Sequence, residues 1–287
     1  MNELNQNHLI FSSVPVMDRP LLDRLDPIAR AGFDGLSLLP TDIWALEEQG
    51  MKAEELAQRI KDAGLRISEV DCIAAWLPKH LTLQTDDPLL QSLQQSHQAD
   101  KVIEAAARVG ARSVAVVEIF GITPSVDEGA EAFAALCDKA AAYDLKVHLE
   151  FAPFGGIPNL RAGHAIIDAA GRSNAGLTID SWHLFRSHSR LADLAAIPAH
   201  QIHTVQINDA DGEAWPDVFD ETMNARLLPG QGSFDLTGLL QVLNSMGSTA
   251  PIEVEIFHAN QKDMSLDDIS SNWFSAIRQT IARAQKD

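Results

Sequence analysis

The sequence predicts a single (β/α)8 TIM barrel spanning residues 1–287. Three observations carry this expectation. Short apolar, β-branched runs alternate with longer amphipathic segments, a Gly repeatedly stands where helix hands over to strand, and the runs number eight, which closes a parallel barrel.

In order along the chain, the strand His8–Ser12 is followed by a helical pattern over Leu21–Ala31. The stretch ARAGFDGLSLL then carries the handover to the strand Gly35–Leu39. A helix over Ala53–Ala63 leads through IKDAGLRISEVDC into Arg66–Asp71, and one over Ser96–Val109 leads through ARVGARSVAVVE into Ser113–Glu118. Patterns at Val126–Tyr143, Arg161–Ala170 and Arg190–Ala196 alternate with the strands Leu145–Phe151, Gly176–Asp180 and Ile202–Asn208. The helix Leu236–Met246 precedes LNSMGSTAPIEVEIF, whose strand is Ile252–Phe257, and Leu266–Ala284 closes the series. The glycine in each handover fits the C′ position of a helix, where positive φ is needed. The strands are expected to be continuous apolar runs buried on both faces, and no Pro/Ser-rich linker divides the chain. A doubly wound sheet would show a Gly-rich phosphate loop after its first strand, and IFSSVPVMDR has none. Two longer insertions, Ala74–Gln94 and Ala210–Ser233, follow the third and seventh strands on the side where such barrels build their sites.

Bulk properties narrow the function. A formal charge of −18 and a pI near 4.8 work against a phosphate backbone as partner, so no nucleic-acid partner is expected. The N-terminal stretch has neither a basic n-region nor a long apolar segment, and no later run approaches a membrane span, so a cytoplasmic protein with no membrane partner is expected. Cys72 and Cys137 lack CxxC or CxxH partners, which leaves neither a disulfide framework nor a thiolate zinc site. A small-molecule, carbohydrate-like substrate is the expected partner, and a homo-oligomer is compatible with the sequence.

In a barrel the chemistry gathers at the C-terminal ends of the strands. The last four strands each place a polar residue there: Glu150 in KVHLEF, Asp180 in LTID, Gln206 in HTVQIND and Glu255 in IEVEIF. Three carboxylates and an amide oxygen at one mouth repel one another unless a cation neutralises them, and one divalent ion is the simplest remedy. Oxygen ligation suits Mn2+ or Mg2+, and a nearby His also admits Co2+ or Zn2+. Taken singly, each residue is equally explained as a strand cap or the partner of an Arg.

The series HLEFAPFGG, LTIDSWHLFRS, HTVQIND, RLLPGQG and IEVEIF resembles the xylose-isomerase-like superfamily of TIM barrels, which holds sugar isomerases, ketose epimerases, and inosose and dehydroshikimate dehydratases. The resemblance covers nearly the whole chain. It implies metal ligation by Glu150, Asp180, Gln206 and Glu255, with Glu150 and Glu255, on opposite sides of the site, as acid/base groups. Gln206 stands where many epimerases of the family carry His, and Gln there resembles the dehydratase branch. The endonuclease IV relatives are set aside, because the chain is acidic and lacks their His-rich pattern.

The implied activity is isomerisation or epimerisation of a sugar or related hydroxy-ketone, by proton abstraction through a metal-stabilised enediolate. Loss of a β-hydroxyl from the same intermediate makes a dehydratase the alternative, and a non-catalytic metal-binding subunit is a third. His183, three residues after Asp180, is a substrate hydrogen-bond partner or an exposed loop His. Trp182 is an apolar pocket wall or plain packing, and Arg226 a clamp for a substrate carboxylate, hydroxyl pair or phosphate, or else a surface Arg. Trp76 and Glu118 are further substrate-binding candidates, with structural roles as the alternative. His148 shares the face of Glu150 one layer deeper, as a hydrogen-bonded core residue or a support for a ligand.

Overall fold

The computed structural model describes residues 4–286. Eight parallel strands close into a barrel: β1 (Leu9–Phe11), β2 (Gly35–Leu38), β3 (Arg66–Ile73), β4 (Ser113–Val117), β5 (Lys146–Glu150), β6 (Ala175–Asp180), β7 (Ile202–Ile207) and β8 (Ile252–Val254). The ring shuts where β8 pairs with β1 through Leu9↔Ile252, Ile10↔Glu253 and Phe11↔Val254. Around it lie α1 (Leu21–Ala31), α2 (Pro40–Glu48), α3 (Ala53–Asp62), α4 (Pro78–Thr82), α5 (Pro88–Ser96), α6 (Ala99–Val109) and α7 (Val126–Ala141). The circuit continues with α8 (Leu160–Ala170), α9 (Ser181–Arg186), α10 (Leu191–Ala195), α11 (Val218–Asn224), α12 (Leu236–Ser245) and α13 (Leu266–Ala284).

Every expected strand is present within a few residues of its expected bounds. At the four quoted handovers Gly32, Gly64, Gly110 and Gly247 adopt φ of +106°, +83°, +67° and +74°, a region costly for any residue with a Cβ. β8 is shorter than Ile252–Phe257 because the chain leaves the ladder after Val254, and the Phe257 carbonyl accepts from the Arg226 backbone N–H instead. The first insertion folds into α4 and α5 and the second into α11. The expected turn after β6 is the helix α9, which starts at once because Asp180 itself caps it.

The strands are not apolar on both faces. Outward side chains such as Val114, Val116, Val147, Leu149, Leu177, Ile179, Val205 and Val254 are buried against the helices. Each contributes about 1.5–3 kcal/mol by leaving water. The inward face is polar, as contacts across the barrel establish. His148 on β5 meets Thr178 Oγ1 on β6 at 2.6 Å and Ser113 Oγ on β4 at 3.2 Å, and Thr204 Oγ1 on β7 donates to Glu69 Oε2 on β3 at 2.6 Å. The hydrophobic core is therefore the annulus between strands and helices, which leaves the interior free for polar chemistry.

Candidate metal centre

Asp180 ends β6 and begins α9, so one carboxylate meets several demands. Its Oδ1 accepts from the His183 backbone N–H at 2.9 Å, while Oδ2 accepts from Asn208 Nδ2 at 2.9 Å and Arg226 Nη1 at 2.8 Å. Because α9 winds immediately from that cap, its first turn carries His183 back over the strand ends. His183 Nε2 lies 3.3 Å from Glu150 Oε1. Glu150, Asp180 and His183 form a cluster whose ligating atoms all lie within 4.8 Å of one another.

Gln206 pairs with Asp180 in the β6–β7 register, and its Oε1 is buried without a hydrogen-bond partner. Glu255 lies one residue past β8. Ser12 Oγ donates to its Oε1 at 2.9 Å and Arg226 Nη1 to its Oε2 at 3.1 Å. Glu255 is thus held by its own partners, outside the compact cluster. β5 and β8 stand three places apart on the eight-stranded ring, so Glu150 and Glu255 come from separate parts of the barrel wall.

The electrostatics follow from enclosure. Burial and the charge of Asp180 push the Glu150 carboxyl up to about 8. Burial, with Glu150 and Asp180 set against Arg226, pushes Glu255 up to about 7. For Asp180 burial works upward, but Arg226, the capping N–H and Asn208 outweigh it and hold the group below the usual carboxylate range. Burial brings His183 down to about 4, so its imidazole is neutral at neutral pH and its contact with Glu150 is polar rather than ionic. A neutral imidazole is the form that ligates metals.

Three buried atoms lack a hydrogen-bond partner here, Glu150 Oε1, His183 Nδ1 and Gln206 Oε1. Orphaned buried polar atoms are costly unless a ligand satisfies them. Carboxylate, imidazole and amide donors also form a set that binds divalent ions, so the residues fit such a metal.

The fit carries a pH prediction. Protons on Glu150 and Glu255, whose carboxyls sit near 8 and 7, compete with a cation, so affinity for a divalent ion should rise as pH passes through that window. Both folded values lie above the unfolded ones, so the stability these groups contribute is present in acid and is lost as pH rises through 7 to 8. Chelated protein should then lose thermal stability towards pH 8 while metal-loaded protein gains on it. A metal-induced rise in Tm that is the same at both ends of the window would contradict this.

The other expected substrate contacts are engaged by partners within the protein. Trp76 is packed edge-on against Phe133 of α7 and donates Nε1–H to the Val117 carbonyl at 3.0 Å, so its ring faces the helix layer. Glu118 is a loop clamp: its Oε1 accepts from the Phe120 and Ile122 N–H groups, both at 3.0 Å, and contacts His80 Nε2 at 3.2 Å, while Oε2 accepts from Gly156 N–H. Gly156 is required there, because a Cβ would overlap the Ile122 carbonyl and the Glu118 carboxylate. Glu118→Ala should cost about 2–5 kcal/mol by stranding buried N–H groups, and leave metal affinity within about twofold because no metal-facing residue is touched. Loss of turnover with unchanged stability would instead place Glu118 on the substrate. Trp182 is fully enclosed, donates to Glu221 Oε1 at 3.3 Å, and backs the site between His183 and Arg226 rather than lining open space. Arg226 is turned onto Asp180 and Glu255.

An inner tier of carboxyl groups was not anticipated: Glu69 and Asp71 on β3 and Glu253 on β8. Burial acts to raise Glu69, but His148 and Thr204 outweigh it and hold it low. Burial and neighbouring carboxylates push Asp71 and Glu253 well up from the usual carboxylate range. Ser37 lies near Glu253, yet neither Glu253 oxygen has a partner in hydrogen-bonding geometry. The signal was legible in ISEVDC and IEVEIF, where acids recur at every second residue and so share one face of a strand.

Residues 25–281 match the model of a family described as xylose isomerase-like TIM barrel. A 3-dehydroshikimate dehydratase of Pseudomonas aeruginosa is 26% identical over 247 residues, 83% of this chain and 36% of that protein. An inosose isomerase of Halalkalibacterium halodurans is 27% identical over 135 residues, 46% of this chain and 47% of that protein. The chain spans less than half the length of these two curated relatives. Among solved structures, an IolI protein with a bound zinc atom superposes with a TM-score of 0.82 at 18% identity, covering 96% of this chain and 99% of that one.

Proposed function

From the premise that the chain belongs to the xylose isomerase-like TIM-barrel family, we propose that it is a divalent-metal-dependent isomerase or epimerase of a sugar or related hydroxy-ketone. One observation carries this most directly. Two carboxyl groups, Glu150 at the end of β5 and Glu255 just past β8, flank the candidate cluster with Asp180 and His183, which places two proton carriers beside a site for a cation.

Glu150, Asp180 and Gln206 would hold the ion with Glu255, and His183 stands close enough to Glu150 and Asp180 to join them. When bound, the ion supplies a Lewis acid beside the substrate carbonyl. The imidazole favours Mn2+, Co2+ or Zn2+ over Mg2+. Glu255, braced by Ser12 and Arg226, and Glu150, beside His183, act on opposite faces of a bound hydroxy-ketone. One carboxylate removes the proton alpha to the carbonyl, and the other returns one from its own side: returned to the same carbon it inverts it, and delivered to the former carbonyl carbon, with the hydroxyl proton passing to the former carbonyl oxygen, it moves the carbonyl.

A lyase is the second reading. The dehydratase similarity extends over 83% of the chain against 46% for the inosose isomerase, which favours it. In that case one carboxylate removes the alpha proton and the other protonates a departing β-hydroxyl, which leaves as water.

Turnover of inosose, ketose and dehydroshikimate substrates by metal-loaded protein in deuterated water separates the two readings. Deuterium at the alpha carbon without loss of water is the expected result, and an unsaturated product identifies the lyase. No exchange and no turnover would sink both.

A further inference from the structure

We propose that Arg226 is a resident counter-ion of the metal site: it holds Asp180 and Glu255 in place and leaves the ionised pocket two negative charges, the complement of one divalent cation. The inference rests on the metal-dependent reading above and assigns Arg226 to the carboxylates rather than to the substrate.

The geometry shows what this guanidinium is free to do. Nη1 donates to Asp180 Oδ2 at 2.8 Å and to Glu255 Oε2 at 3.1 Å, while Nε and Nη2 donate to Thr222 Oγ1 at 3.0 and 2.8 Å. Four of the five N–H donors of a guanidinium are thereby engaged, which leaves little for a substrate clamp. The group is also confined by the rings of Trp182 and Phe257, 5.6 and 5.1 Å away, and its side chain is 2% exposed. The backbone N–H of Arg226 is tied to the Phe257 carbonyl at 3.0 Å. Swinging away would unpack two aromatic rings and strand a buried charge, so the cation stays whether or not a metal is bound.

Lone pairs point the same way. A carboxylate offers about four acceptor directions. Those of Asp180 already take the His183 N–H, Asn208 and Arg226, so its free direction is defined by its partners. Ser12 and Arg226 do the same for Glu255. When Glu150, Asp180 and Glu255 are all ionised, Arg226 offsets one of the three charges and a divalent ion offsets the other two.

The test is Arg226→Met, which keeps an unbranched apolar stem but removes the charge, beside Arg226→Lys, which keeps the charge. With Mn2+ or Zn2+ titrated against a competing chelator, Arg226→Met should bind the ion at least about tenfold more tightly, because a like charge has left the site. Its chelated form should be less stable than the parent near neutral pH, and the metal should close that gap. Arg226→Lys keeps the like charge but not the planar fork, so it should show none of the tightening expected of Arg226→Met. An Arg226→Met protein whose metal affinity equals or falls below the parent's overturns the proposal. Should Arg226→Met fail to fold even with metal, Arg226→Gln, which removes the charge but keeps an amide donor, is titrated instead: tighter binding than the parent supports the proposal, and equal or weaker binding overturns it. A parent that binds neither ion ends the metal-dependent reading instead. The hold of Arg226 on Asp180 and Glu255 is then judged by the chelated Arg226→Met alone, and a variant as stable as the parent overturns it.

Discussion

Asp180→Ala is expected to lower divalent-ion affinity by at least about 100-fold and to cost about 3–5 kcal/mol of stability. The carboxylate is a central candidate ligand, but it also caps α9, accepts from Asn208 and neutralises Arg226. Its removal releases the His183 N–H, strands Asn208 and leaves a buried guanidinium with Glu255 as its remaining ionic partner. Asp180→Asn keeps the capping oxygen and should preserve more of the helix, while turning an amide donor towards Arg226. Chelator competition and denaturant melts of the chelated proteins measure both effects. An Asp180→Ala protein that binds metal as tightly as the parent would remove this site from consideration.

Glu150→Gln and Glu255→Gln are each expected to reduce kcat by about 10²–10⁴, since each deletes a proton carrier while keeping shape. Their residual chemistry should differ from simple loss. If both groups move protons, the variant that retains the abstracting carboxylate still exchanges the alpha hydrogen of recovered substrate with deuterated solvent, although product no longer forms. The other variant does neither. Full turnover by Glu255→Gln would leave Glu150 as the sole base, and a two-base epimerisation would no longer stand.

The polar interior bears on both variants. Glu69 and Glu253 are buried on the inner face, which would ordinarily hold branched apolar side chains, and the half-buried Asp71 lies near Glu150 and Glu255. Stability resides in the outer annulus of aliphatic contacts between strands and helices, so polar substitutions at the mouth need not disturb the core that holds the barrel closed.

The strands, the Gly-terminated helices and the polar strand ends Glu150, Asp180, Gln206 and Glu255 are all local patterns. Each depends on periodicity or backbone conformation within a few residues, and each was legible in the sequence. The inner carboxyl tier was legible too, through the alternation in ISEVDC and IEVEIF, but is lost when those runs are read as uniformly apolar.

Other features required the closed ring. His183 reaches Glu150 because α9 starts on Asp180 itself, and Arg226 is aimed by Thr222, Trp182 and Phe257, which come from three separate segments. Glu118 and Trp76 occupy positions that read as pocket-lining, yet a loop clamp and a helix contact claim them. Strand spacing determines which residues share a face. Which of those faces meet across the barrel, and which side chains are already committed to partners, depends on strand stagger and loop packing that no local stretch contains.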